Sequence, residues 1–340
     1  MPCFCPKPAG YRTRPDGKKE VVFGKQSQFS GYSPLELPCG KCSGCLTDRA
    51  RHWATRCQLE ALESPNNWFV TLTYDDEHVP WVQSATANSD TGEVLDEVWL
   101  PTLRKSDTKR FIHDLRQLAE RRRGEFGIRF FLSGEYGDQT QRPHYHCLLF
   151  NYHCPDPMLF KERDGIVYFV SDEIATAWPY GQALLTYYSF ETGAYVAGYV
   201  LKKCKARLSE PFGRDDEPVY IDGRQKEFIN MSRRPGIGRR FFNEKGEYIY
   251  EYDGIVVPSG TFTPAHIVKP PPYFDRLMAD TDPDLLVSIK ERRKALALVG
   301  QREELAQHGF FNDDFGKRQL LNIKLEKSLK RVLTNVRDLC

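Results

Sequence analysis

The sequence predicts an α+β protein: an antiparallel sheet with flanking helices, preceded by a cysteine-rich module and followed by C-terminal helices. Three observations carry that expectation. Short β-branched and aromatic runs ("WFVTLTY", "IRFFLS", "HYHCLLF") stand apart from segments of 3.6-residue period, two of the runs are joined by one polar turn, and the order is strand, helix, strand, strand, helix.

Residues 1–45 are rich in Gly, Pro and Cys with few apolar residues, so they read as a loop-dominated module that needs a staple. A helix follows from Cys45, with Leu46, Ala50, Trp53, Ala54, Cys57 and Ala61 in period, and "ESPNN" ends it. "WFVTLTY" (68–74), β-branched and aromatic, reads as a strand. Residues 75 to about 105, with Pro, Asn, Ser, Asp and Gly, read as a long surface excursion. Ser106 is placed as the cap of a helix through Arg123 that turns Phe111, Ile112, Leu115, Leu118 and Ala119 to the core. Strands 128–133 and 144–150 come next, joined by "GEYGDQTQRP". A variable stretch runs to about 190, a short helix covers about 192–204, and residues 243–275 suggest short strands or extended chain. Helices are expected over 282–305 and 313–337, all packing against one side of the sheet where they meet it. The divisions are 1–64 for the cysteine-rich module and its helix, 65–242 for the domain that carries the chemistry, and 243–340 for the extended and helical remainder.

Composition limits the function. Among 340 residues, 48 basic side chains nearly cancel 46 acidic ones, leaving +2 overall. Local blocks depart from that balance: "KKCKAR" (202–207) and "SRRPGIGRR" (232–240) each carry four positive charges and no negative one. Arg233, Arg234 and Arg239 are therefore candidate contacts to a phosphate backbone, together with Arg142 beside the histidines, although a charge run also serves as an ordinary solvated face. No apolar run approaches the roughly 20 residues that span a bilayer. The start, Met1-Pro2-Cys3-Phe4-Cys5, lacks the regions of a signal peptide, so a cytoplasmic protein without a membrane partner is expected.

The chemistry concentrates in "RPHYHCLLF" (142–150), which holds two of only eight histidines. In a strand His144 and His146 share a face, about 7 Å apart, a spacing at which two imidazoles grip one ion. Leu148 and Phe150 continue that face, and Tyr145, Cys147 and Leu149 form the other. If the two strands pair as a hairpin, Glu135 in "GEYG" comes back beside the histidines as a third ligand. Two histidines and a carboxylate equally describe a mononuclear iron oxygenase, and two exposed histidines at a strand end are the plainer alternative. The helix "ETGAYVAGYVLKK" (191–203) narrows the choice. Val196, Ala197, Val200, Leu201 and Cys204 cover one apolar arc, which leaves Tyr195 and Tyr199 outside it with Lys202 and Lys203. Two phenols beside lysines suit covalent phosphoryl transfer, because a nearby ammonium or metal favours the phenolate of a group whose pKa is ordinarily about 10.

Cys39-x2-Cys42-x2-Cys45 is a tight cluster within ten cysteines, five of them in the first 45 residues. Cys57 would lie about 18 Å along the helix and belongs to its apolar face. Cys3 or Cys5 is the remaining source of a fourth ligand, and Cys3 is placed there, giving a structural Zn²⁺ site of four thiolates. An iron–sulfur cluster or ordinary reduced thiols are the alternatives.

Together, "PCGKCSGC", "FVTLTYDDEHVP", "GEYGDQTQRPHYHCLLFN", "YVAGYVLKK" and "MSRRPGIG" resemble the HUH endonucleases, and more closely the two-tyrosine replication initiators of microviruses of the gokushovirus branch. The resemblance implies an RRM-like nuclease sheet, a catalytic Mg²⁺ or Mn²⁺ on Glu135, His144 and His146, and Tyr195 and Tyr199 as nucleophiles. It implies a rolling-circle initiator that nicks the viral strand of single-stranded and supercoiled origin DNA, stays on the 5′ end and rejoins it, in a bacterial host's cytoplasm. Imidazole ligands favour Mn²⁺ over Mg²⁺ in affinity. Gly198 departs from the larger, often basic residue expected between the tyrosines. No GxxxxGK[ST] loop is present, so unwinding would fall to a host helicase and the host replication machinery. A two-tyrosine rolling-circle transposase shares this chemistry, and a zinc-dependent DNA-binding regulator with a decayed nuclease is the non-enzymatic alternative.

Overall fold

The computed structural model describes residues 3–15, 19–23, 31–87, 94–137, 140–198, 219–221, 223–257 and 265–334. The chain forms two compact units. One holds the N-terminal residues to Ala50 and the C-terminal residues from Val287; the other holds most of the chain between Arg51 and Leu286.

The N-terminal segment is more regular than its composition suggests. Strands β1 (Lys7–Thr13), β2 (Lys19–Phe23) and β3 (Ser33–Leu37) form a small antiparallel sheet in the order β2-β1-β3. Helix α1 (Ser43–Leu62) follows at the cysteine cluster.

From β4 (Asn67–Thr73) the chain enters the main sheet. The expected surface excursion is instead a hairpin, β5 (Trp81–Ala87) and β6 (Val94–Pro101). The polar sequence between the two strands, residues 88–93, hid their alternation. Helix α2 (Lys105–Arg123) leads to β7 (Arg129–Tyr136) and β8 (Pro143–Phe150). Strands β9 (Met158–Arg163) and β10 (Ile166–Val170), helix α3 (Asp172–Ala177) and strand β11 (Ala183–Tyr187) occupy the stretch that gave no clear pattern. Helix α4 is described over 190–198. Strand β12 (Val219–Ile221) joins the hairpin in the order β12-β5-β6, and β13 (Phe228–Met231) closes the main sheet. That sheet has seven strands in the order β13-β7-β8-β4-β11-β10-β9, antiparallel at every pairing.

Helices cover both faces of the sheet, not one. Trp68-Phe69-Val70, Phe130-Phe131-Leu132 and Cys147-Leu148-Leu149-Phe150 are apolar at consecutive positions, so both faces of the central strands require cover. On one face Val70, Leu72, Leu132, Cys147 and Leu149 pack with Phe111, Ile112 and Leu115 of α2 and Ile174 of α3. On the other, Phe69, Phe131, Leu148 and Phe150 pack with Cys57 of α1 and Val196 of α4.

Two further expectations change. Ser106 does not cap α2: the N-cap is Arg104, without a side-chain cap bond, and Ser106 Oγ donates to Asp107 Oδ1 at 3.0 Å. The start of the helix is held by a tertiary contact, because the Arg104 N–H donates to the buried Tyr145 hydroxyl at 2.8 Å. Gly124 ends it with φ 65°, a left-handed C-cap of the kind glycine favours. Second, 243–275 begins as helix α5 (Arg239–Tyr252), where Phe242, Gly246, Ile249 and Tyr250 make a buried stripe that outweighs the β preference of its tyrosines. The short pair β14 (Ile255–Val257) and β15 (His266–Val268) and helix α6 (Pro272–Thr281) follow. Helices α7 (Pro283–Gln307) and α8 (Asp314–Thr334) stand where helices were expected, and Lys324 of α8 pairs with Glu304 of α7.

One buried ion pair ties three parts of the larger unit together. Arg129 of β7 pairs with Glu60 of α1, Arg129 Nη2 donates to the Pro235 carbonyl at 2.7 Å, and the Gly238 N–H donates to Glu60 Oε2 at 2.5 Å. Arg56 adds a bond to the Ile237 carbonyl at 3.0 Å and lies between the rings of Trp53 and Tyr273. The loop "SRRPGIG" is therefore fixed to the helix and strand beneath it. Glu60→Ala leaves Arg129 buried without its partner and is expected to cost about 3–5 kcal/mol. Urea unfolding of the variant measures this, and a loss under about 1 kcal/mol would show that the pair is a minor contributor.

Candidate functional site

The sheet places Glu135, His144 and His146 together. Glu135 lies directly opposite His144 in the β7–β8 register, so its carboxylate rises on the face that both imidazoles share. Glu135 Oε1 stands 2.5 Å from His144 Nε2 and 3.0 Å from His146 Nε2. Glu135 belongs to β7 itself and not to the turn after it. Glu135 and His146 are buried, and His144 is half-buried.

The second nitrogen of each ring is also held. His144 Nδ1 is 3.1 Å from the Arg142 carbonyl oxygen, and His146 Nδ1 is 3.1 Å from Thr71 Oγ1. A carbonyl oxygen accepts only, so Nδ1 of His144 carries the proton. Phe69 stacks on His146 with ring centroids 5.5 Å apart and 17° between planes. Burial works against the charge of Glu135, but the imidazoles of His144 and His146 outweigh it and hold the carboxyl down at about 2. An ionised carboxylate and two Nε2 atoms converging on one point, with Nδ1 of each ring engaged elsewhere, is a donor set that fits a divalent cation.

Tyr195 approaches from α4. Its ring centroid is 5.4 Å from that of His146, at 76°, and 6.2 Å from that of Phe69. Val196 and Ala197 are buried beside it, and Tyr195, half-buried, packs against the same apolar cluster as Val196, so the expected separation of an apolar arc from a tyrosine face is not clean. Gly193 permits this seating, because a Cβ there would lie 2.6 Å from the Tyr188 hydroxyl, which donates to Gln58 of α1 at 3.0 Å. A Cβ at Gly198 would meet nothing within 4 Å. Tyr199, Lys202 and Lys203 lie outside the described residues.

The residue between the histidines faces the other way. Tyr145 is buried, its hydroxyl lies 2.9 Å from that of Tyr74, and Tyr74 donates to Asp107 at 2.8 Å. Burial pushes the Tyr145 phenol up to about 12. It is an anchor and has no path to the imidazole face.

The arginines divide. Arg233 and Arg234 are exposed on the braced loop. Arg239 is half-buried, with Nε donating to Asn243 Oδ1 at 2.8 Å. Arg142 is turned onto the protein: Nη2 donates to the Tyr74 carbonyl at 2.8 Å and Nη1 to Asp76 at 2.7 Å. Thr71 and Ser133 escaped the sequence reading. Ser133 lies opposite His146 on β7, and its buried hydroxyl has no hydrogen-bond partner among the described residues. The signal for both was register, which a single sequence does not print.

In the N-terminal unit Cys3, Cys39, Cys42 and Cys45 bring four Sγ atoms within 4.8 Å of one another. Cys3 and Cys42 are 3.9 Å apart at sulfur, and Cys39 and Cys45 are 4.0 Å apart. A tetrahedral zinc with sulfur ligands at about 2.3 Å separates those sulfurs by about 3.8 Å. A multi-iron cluster inserts its own core and holds thiolates further apart, so the spacing suits a single ion. Burial opposes ionisation of Cys39, but N–H donors from Lys41 and Cys42 outweigh it and bring the thiol down to about 6. Burial raises Cys3 and Cys45. Cys5 is exposed, outside the cluster, and Cys57 is buried core.

Among known proteins, the family described as replication-associated protein ORF2/G2P matches residues 67–204. Replication-associated protein ORF2 of Spiroplasma virus 4 is 31% identical over 303 residues, 87% of this chain and 85% of that protein. Replication-associated protein VP4 of Bdellovibrio phage phiMH2K is 26% identical over 310 residues, 89% of this chain and 87% of that protein. Replication-associated protein ORF4 of Chlamydia phage 1 is 27% identical over 195 residues, 54% of this chain and 44% of that protein. No solved structure matches. Among the described residues no helix is long and apolar enough to cross a membrane.

The thiolate cluster gives a direct prediction. The full chain is expected to purify with about one zinc ion, and Cys39→Ser or Cys42→Ser to lose it, by elemental analysis. Zinc content unchanged in both variants would refute the four-thiolate site.

Proposed function

The chain belongs to the family of phage replication-associated proteins, and on that premise we propose that it is a rolling-circle initiator: a metal-dependent, site-specific endonuclease and strand transferase on single-stranded origin DNA. The observation that carries the proposal is Tyr195, edge-on to His146 above a Glu/His/His donor set. A divalent cation bound by Glu135, His144 and His146 would supply positive charge to a non-bridging oxygen of the scissile phosphate, and imidazole ligands favour Mn²⁺ over Mg²⁺.

The chain's own residues supply the rest. The Tyr195 phenol loses its proton to solvent and its oxygen attacks phosphorus; the P–O3′ bond breaks, and the departing 3′ oxygen takes up a proton. The 5′ end is then a phosphotyrosine ester, which conserves the bond energy until a 3′-hydroxyl attacks it and restores the phosphodiester. Tyr199 is proposed as the second nucleophile, with Lys202 and Lys203 favouring the phenolates. Exposed Arg233 and Arg234 are proposed to hold backbone phosphates, with Arg239 beside them. The bonds of Arg142 to Tyr74 and Asp76 support a bracing role more than a DNA contact. In this scheme zinc on the four cysteines is structural, and unwinding belongs to a host helicase.

Tiled 3′-labelled single-stranded oligonucleotides from the encoding genome, incubated with the protein and Mn²⁺, should yield a protein–DNA adduct that survives denaturing electrophoresis. Chelator, His144→Ala, or Tyr195→Phe combined with Tyr199→Phe should abolish it. An adduct that persists in the double tyrosine variant would sink the mechanism. Gly193→Ala, which forces α4 away from Tyr188, should slow cleavage about 100-fold while Mn²⁺ affinity stays unchanged.

A further inference from the structure

"FVTLTY" supplies a strand to the sheet, yet its polar residues have no part in the chemistry so far. Thr71 lies directly opposite His146 in the β4–β8 register, and its side chain therefore rises on the imidazole face. Its hydroxyl oxygen is 3.1 Å from His146 Nδ1. Phe69, two residues earlier on the same strand face, stacks beneath that ring. One strand thus supplies both the plane against which His146 rests and a partner for its second nitrogen.

The two histidines differ in how they are secured. The Nδ1 of His144 meets a backbone carbonyl, which no side-chain change removes. The Nδ1 of His146 meets a hydroxyl, which can accept its proton and whose β-branched side chain has few rotamers in a strand. With the proton on Nδ1, the lone pair of His146 is left on Nε2, the nitrogen 3.0 Å from Glu135. Without the hydroxyl, the Glu135 carboxylate 3.0 Å from Nε2 would draw the proton to that nitrogen and close the position a cation needs.

We propose that Thr71 is a positioning residue of the metal centre: its hydroxyl holds His146 in the Nδ1–H form that presents Nε2 to the cation. This rests on the metal reading of Glu135, His144 and His146. It also assigns "FVTLTY" a role beyond the sheet, since β4 then aligns a ligand contributed by β8.

The test is Mn²⁺ binding to the full-length protein, read by electron paramagnetic resonance, which needs no DNA. Thr71→Val keeps shape and loses the hydroxyl; Thr71→Ser keeps the hydroxyl and loses a methyl. A hydroxyl role predicts about 10- to 100-fold weaker binding in Thr71→Val and near wild-type binding in Thr71→Ser. A packing role predicts the reverse order, so Thr71→Ser binding more weakly than Thr71→Val overturns the proposal, as does wild-type affinity in both. His146→Ala is the control: if it binds Mn²⁺ as wild type does, the metal reading itself fails. Thermal unfolding of each variant separates loss of affinity from loss of fold, and if Thr71→Val melts early, Thr71→Ser against Thr71→Ala makes the same comparison.

Discussion

The antiparallel pairing of β8 between β7 and β4 is the constraint on which the site depends. It sets Glu135 opposite His144, and both Ser133 and Thr71 opposite His146, in one step. A slip of one residue would turn both imidazoles into the apolar face now filled by Tyr145, Cys147 and Leu149. The register is locked from that far face. Tyr145 bonds the backbone at the start of α2 and the hydroxyl of Tyr74, and Arg142 clasps the end of β4 through the Tyr74 carbonyl. The residues before and between the histidines are therefore fasteners, and they fix where the histidines stand.

Electrostatics and packing meet at Glu135. A carboxyl so buried would ordinarily favour its neutral form, and the two imidazoles reverse that preference. The negative charge must be balanced, either by protons on the rings or by a cation among them. Because Nδ1 of each ring is engaged by the scaffold, any cation has to be taken at the nitrogens that face the carboxylate. The same residues that neutralise Glu135 thus define the direction from which a ligand is held.

Much of this was legible in the sequence, and the limits have physical causes. Alternation along one strand placed His144 and His146 on one face, and a hairpin assumption brought Glu135 beside them. A helical wheel set Tyr195 apart from Val196 and Ala197, whereas Tyr195 packs against the same apolar cluster as Val196. Cys39, Cys42 and Cys45 followed from spacing, and the exclusion of Cys57 left Cys3 or Cys5 as the fourth. Thr71 and Ser133 were hidden because their importance comes from which strand lies beside which, and the place of β11 beside β4 was hidden for the same reason. The strands β5 and β6 were masked by the polar residues 88–93 between them in sequence. Ser106 looked like a cap because local chemistry was the only guide, whereas the helix start is set by Tyr145, 41 residues away.

The proposed metal donors and the proposed nucleophile are carried by different kinds of element, and that separation has a consequence. Glu135, His144 and His146 rise from adjacent central strands whose faces are both buried, so their geometry is as rigid as the sheet. Tyr195 arrives on α4, which is seated by Val196 and by the close approach of Gly193 to Tyr188. Tyr188 is in turn fastened to α1 through Gln58, and α1 to β7 through Glu60 and Arg129. The Tyr195 ring is thus placed both by this chain of packed contacts and by its own contacts with His146 and Phe69. In the proposed reading, disturbing α1 or Tyr188 acts first on the seat of Tyr195, and disturbing Thr71 acts first on the ring of His146.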